Sequence, residues 1–68
     1  MTQNFLPLQA GEIRTATQRN GNTVTMQWVA GGMFAQVTVT APAGHRVFNQ
    51  THQFDTHAVT QFNALAAE

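Results

Sequence analysis

From Thr23 to Trp28 the chain alternates strictly, with Val24, Met26 and Trp28 apolar and Thr23, Thr25 and Gln27 polar. From Ala35 to Thr40 it does so again, with Ala35, Val37 and Val39 set against Gln36, Thr38 and Thr40. Period-two alternation of this kind predicts two strands, each with one face buried. Gly31-Gly32 lies between them, and two residues without a β-carbon are suited to the positive φ angles of a tight hairpin turn. The turn then sets Ala30 opposite Met33, Trp28 opposite Ala35, Met26 opposite Val37 and Val24 opposite Val39. Gln27 with Gln36, Thr25 with Thr38 and Thr23 with Thr40 form the other face. Val29 and Phe34 break the alternation, and they fall opposite each other on that polar face.

Asn20-Gly21 precedes this hairpin and is the favoured pair for a two-residue type I′ turn. That turn sets Ile13 opposite Trp28, Thr15 opposite Met26 and Thr17 opposite Val24. Arg14, Ala16 and Gln18 are then expected on the polar side. Both turns assign the same inner face to the middle strand, and a slip of one residue would reverse it.

Beyond Pro42 and Gly44, which mark a turn, Arg46–Phe54 predicts a fourth strand. Its phase is open between Phe48, Gln50, His52 and Phe54 inward and the set one residue away. The first is preferred because two phenylalanines bury more apolar area than one valine. A bulge would let Val47 and Phe54 both point inward. Asp55 is placed as the N-cap of a C-terminal helix. Ala58, Val59, Phe62, Leu65 and Ala66 form its apolar stripe, and His57, Gln61, Asn63 and Glu68 lie off it.

The fold class expected is α+β: an antiparallel meander of three or four strands followed by one helix packed on one face. Residues 12–68 form a single small domain. Residues 1–11 form an extended arm whose Phe5, Leu6 and Leu8 seek cover while Pro7 forbids a regular helix.

Composition narrows the chemistry. The chain has 68 residues, three basic and three acidic, with a formal net charge of zero and no cysteine. A core of this size supplies roughly 3–5 kcal/mol, and neither disulfide nor thiolate metal site can add to it. The three basic residues are Arg14, Arg19 and Arg46, too few and too scattered for a phosphate-binding patch. The absence of a signal segment or an apolar span leads to the expectation of a cytoplasmic protein that does not enter a membrane.

The segment "GHRVFNQTHQFDTH" contains all three histidines. His45, His52 and His57 are seven and five residues apart, and neither spacing suits two zinc ligands on one helical turn. No metal or cofactor is therefore expected. Serine and cysteine are both absent, which removes the commonest nucleophiles. Gly31-Gly32 joins two strands, whereas a phosphate loop leads into a helix. Catalysis is not expected.

What is left is surface. Val29 and Phe34 on a face otherwise made of threonine and glutamine read as a small contact patch, unless the N-terminal arm covers them. Gln27, Gln36 and Arg14 flank it. His52 is either buried with a hydrogen-bond partner or exposed beside His57 on a contact surface. The expectation is a non-enzymatic protein-binding module, which unpaired edge strands would also serve, with a homodimer as one form. Small phage and mobile-element proteins that inhibit a host protein by occupying its surface, anti-CRISPR proteins among them, share this size and architecture; no motif carries the analogy further. The alternatives are a nucleic-acid-binding or regulatory dimer and a structural subunit of a larger assembly.

Overall fold

The structure is a computed structural model that describes residues 5–68; residues 1–4 of the expected arm lie outside the described residues. Four antiparallel strands follow one another in space as they do in sequence: β1 (Ile13–Thr17), β2 (Thr23–Val29), β3 (Phe34–Thr40) and β4 (Arg46–His52). One helix, α1 (Asp55–Ala66), then packs across β2, β3 and β4. This is the expected α+β meander, with the fourth strand formed.

The core is the alternation of β2 and β3 made solid. Val24, Met26, Ala35, Val37 and Val39 meet Ala58, Val59 and Phe62 of α1, all of them buried. Each large aliphatic or aromatic side chain so buried contributes about 1.5–3 kcal/mol of transfer free energy. Leu8 of the arm joins the same cluster, and Ala16, Trp28, Phe48 and Leu65 pack around it.

The β2–β3 register is the expected one, from Thr23 opposite Thr40 to Val29 opposite Phe34. The β1–β2 register is not. Ile13 lies opposite Gln27, Arg14 opposite Met26, Thr15 opposite Thr25, Ala16 opposite Val24 and Thr17 opposite Thr23, one residue from the pairing that a type I′ turn would give. The cause is the loop. Gly21 N–H donates to Gln18 O at 3.0 Å, and Gln18 N–H donates to Asn22 O at 2.8 Å. Three residues, Arg19 to Gly21, therefore separate the closing pair. Gly21 has φ 91°, while Asn20 is not in the positive-φ region that a type I′ turn requires. This is the type I turn ending in a left-handed glycine that three-residue hairpins use. The slip turns β1 over. Arg14, Ala16 and Gln18 face the helix side, and Ile13, Thr15 and Thr17 face outward, with Ile13 63% exposed.

A second loop of the same kind, Pro42–Gly44, joins β3 to β4. Ala41 N–H donates to His45 O, Gly44 N–H donates to Ala41 O, and Gly44 has φ 99°. A bulge then shifts the register between the Thr40–Arg46 and Val39–Phe48 pairs, leaving Val47 as the extra residue. Without that insertion Phe48 would fall on the outer face; with it, Phe48, Gln50 and His52 face inward, as preferred from the sequence. Phe54, the fourth residue of the preferred phase, is not inward because β4 ends at His52, and the bulge brings neither it nor Val47 to the core: they are 57% and 51% exposed.

Two further expectations are corrected. The N-cap of α1 is Phe54, whose extended backbone precedes the first helical turn closed by Ala58 N–H to Phe54 O. Asp55 sits one residue inside, where its charge favours the positive end of the helix dipole without a capping bond. Asn63 is buried rather than off the stripe, because it lies one turn from Val59 and beside Phe62.

The β2–β3 turn supplies a clean measure of backbone strain. Ala30, Gly31 and Gly32 have φ of 54°, 69° and 90°, and Met33 N–H donates to Ala30 O. A β-carbon at Gly32 would meet no atom within 4 Å, so Gly32→Ala should cost about 1 kcal/mol from conformation alone. Ala30→Gly should instead gain about 0.5 kcal/mol, the relief of strain being partly offset by the freer unfolded chain. Urea denaturation should show the two midpoints moving in opposite directions at constant slope.

Candidate functional site

The sheet has two faces of different character. On the helix side the rows are Ala16–Val24–Val39–Phe48, Arg14–Met26–Val37–Gln50 and Trp28–Ala35–His52. On the outer side they are Thr17–Thr23–Thr40–Arg46, Thr15–Thr25–Thr38–Asn49, Ile13–Gln27–Gln36–Thr51 and Val29–Phe34. Six threonines thus stand in two adjacent rows across β1, β2 and β3. Gln36 Nε2 donates to Asn49 Oδ1 at 2.9 Å beside them.

One end of the outer face is apolar. Val29 and Phe34 are directly paired and partly exposed, and Ile13 stands at the end of the neighbouring row. Met33, in the turn just beyond, is 67% exposed. The only charged side chain in the outer rows is Arg46, at the opposite corner. Ile13 was missed as a member of this patch because its side depends on the loop at 19–21; the signal for it was a glycine in the last position of a four-residue turn.

Of the seven residues singled out from sequence, Val29, Phe34, Gln27 and Gln36 come together on this face. Arg14, His52 and His57 do not. Arg14 is on the helix side with its side chain only 10% exposed, paired with Glu12 at 3.0 Å. Its remaining N–H groups donate to Leu6 O at 3.1 Å and Pro7 O at 3.4 Å. Glu12 also accepts from the Gln9 backbone at 2.9 Å. The bonded Arg14 guanidinium, then the Gln9 N–H, hold the Glu12 carboxyl below its ordinary pKa.

These bonds pin the arm to the inner side of β1. Trp28 Nε1–H completes the anchor by donating to Leu8 O at 2.8 Å, with the Leu8 side chain buried in the core. The described part of the arm therefore lies on the opposite side of the sheet from Val29 and Phe34. Between arm and strand an open groove of about 300 Å³ is lined by Leu6, Pro7, Gln9, Glu12 and Arg14. Its cation and anion neutralise each other, which leaves little to recognise a charged ligand.

His52 bridges sheet and helix. Its Nε2 bonds Gln61 Oε1, and Gln61 Nε2 donates to Gln50 Oε1 at 2.8 Å. Since the Gln61 amide nitrogen is turned to Gln50, its oxygen faces the ring, and Nε2 must carry the hydrogen. His57 is exposed on α1 with its ring edge-on to Phe54 at 5.6 Å, and His45 is exposed in the β3–β4 turn. The three histidines thus have three separate environments.

Protein-family models, curated proteins and solved structures contain no match to the chain. Among the described residues no helix is long and apolar enough to cross a membrane.

Trp28 is the sole tryptophan and there is no tyrosine, so its fluorescence reports arm docking directly. The lowered Glu12 pKa means that the stabilisation it confers is full above the ordinary carboxylate range. That stabilisation is lost as pH falls through the folded value, which lies below that range. Acidification, or Glu12→Gln at neutral pH, should shift Trp28 emission to the red. Far-UV circular dichroism should stay near native in the Gln variant.

Proposed function

We propose that this protein is a non-enzymatic protein-binding module whose contact with its partner is made through the outer face of its sheet. The observation that carries the reading is the patch of Ile13, Val29 and Phe34, which no described part of the arm covers, at the end of an otherwise polar and nearly uncharged face. An apolar end beside a hydrogen-bonding field of threonine and glutamine supplies the apolar centre and polar rim of protein interfaces. A steric mode of action, as in small inhibitors from phages and mobile elements, needs no more than such a face.

The structural position of Arg14 weighs against nucleic acid. With Arg14 tied to Glu12, only Arg19 and Arg46 remain as exposed cations, and two phosphate contacts confer little affinity. Phe34 is the one aromatic in the outer rows, where single-strand binders use several for stacking.

The test is affinity capture from lysate with tagged protein, comparing wild type with Ile13→Asp, Phe34→Asp and His57→Ala. The first two should abolish capture of a discrete partner while leaving the circular dichroism spectrum and melting temperature within a few degrees of native. His57→Ala should capture normally. Undiminished capture by folded Ile13→Asp and Phe34→Asp would remove the patch from the mechanism.

A further inference from the structure

We infer that the outer face is occupied by a second copy of this chain, the two sheets packing face to face to give a helix–sheet–sheet–helix dimer. This rests on the outer face being the contact surface and names its occupant. Three observations point to self-association.

The first is charge. Of the fourteen sheet positions in the outer rows only one is charged, Arg46 at a corner. A partner selected by electrostatic complementarity would meet nothing there to read. An uncharged face is instead complementary to itself, and a two-fold axis near the central Thr25–Thr38 pair brings like rows together without repulsion.

The second is shape and area. The molecule is a slab, 30 × 27 × 16 Å in its principal extents, with its single helix on one side. Three strands of seven residues and one of five, at about 3.3 Å per residue and about 4.8 Å apart, make a platform of about 410 Å² in plan. Corrugation by side chains raises the accessible area toward the roughly 600 Å² per partner at the low end of specific interfaces. That area fits a dimer with a micromolar Kd better than a permanent one. Sheets packed in this way sit about 10 Å apart with strands about 30° from parallel. Threonine methyls then fill the gap while neighbouring hydroxyls in each row bond one another.

The third is that the edges offer a poorer route. β4 carries the bulge at Val47 and β1 has only five residues, and bulged or short edges resist strand addition. The apolar patch of Ile13, Val29 and Phe34 crosses β1, β2 and β3 on the face rather than following one edge.

The decisive experiment places charges near the proposed axis. Wild type should pass from monomer to dimer in sedimentation between about 1 μM and 1 mM. Thr25→Asp and Thr25→Arg, each checked for folding by circular dichroism, should each weaken the dimer by more than about 100-fold through like-charge contact. Mixed in equal amounts, the two variants should recover a heterodimer. A wild type that stays monomeric at about 1 mM overturns the inference, as does a dimer that survives both variants. If the wild type is monomeric and capture from lysate still depends on Phe34, the occupant is a different protein and the proposed function stands. If neither self-association nor capture responds to the face, both fall.

Discussion

One helix can cover only one side of a four-stranded sheet, and that constraint organises everything else in this chain. Val24, Met26, Val37 and Val39 lie under Ala58, Val59 and Phe62, and this contact is nearly all the core that so short a chain can build. What the helix does not reach has to be managed by other means. The corner around Trp28 and Arg14 is closed by the arm through Leu8 and a set of backbone-directed hydrogen bonds. The outer face is left to solvent or to a partner. Its threonines suit that position because a β-branched hydroxyl side chain favours the extended backbone and tolerates water equally well.

Polar groups on the covered side are there by arrangement. Gln18 is buried, and its Nε2 donates to Leu65 O at 3.0 Å, so that β1 meets a carbonyl near the end of α1. His52, Gln61 and Gln50 form a relay between β4 and the helix. Among the described residues no buried side-chain nitrogen or oxygen lacks a hydrogen-bond partner. A buried amide left unpaired costs about 1–3 kcal/mol, a large share of the stability of a domain this small. These bonds therefore also specify register: moving β1 by one residue would take Gln18 away from Leu65 and turn Arg14 to the face opposite the core.

That coupling explains why the composition of the outer face differs from the one expected. The patch of Val29 and Phe34 is legible from the sequence because both residues interrupt a strict alternation at positions that pair across an unambiguous turn. Ile13 is not, since its face depends on whether Asn20-Gly21 closes a two-residue or a three-residue loop, and both are compatible with the same dipeptide. Arg14 illustrates the reverse error. A lone arginine in a polar-looking strand reads as a surface contact, yet here it is an internal tie. Its partner Glu12 is only two residues away, and nothing in the local pattern shows that the arm will fold back over both.

The sequence by itself determined the class of fold, the β2–β3 hairpin with its register, and the helix with its apolar stripe. Each of these follows from local periodicity and turn chemistry, which act over a few residues and leave one arrangement that buries apolar area. Tertiary structure alone decided the side of β1, the bulge at Val47, the burial of Asn63 and the course of the arm. In those places local preference is nearly balanced, and the outcome depends on hydrogen bonds and packing between residues far apart in the chain, such as Gln18 with Leu65 and Trp28 with Leu8. The candidate face was half legible for the same reason: two of its strands are paired by a short turn, and the third is held in place by the helix and the arm.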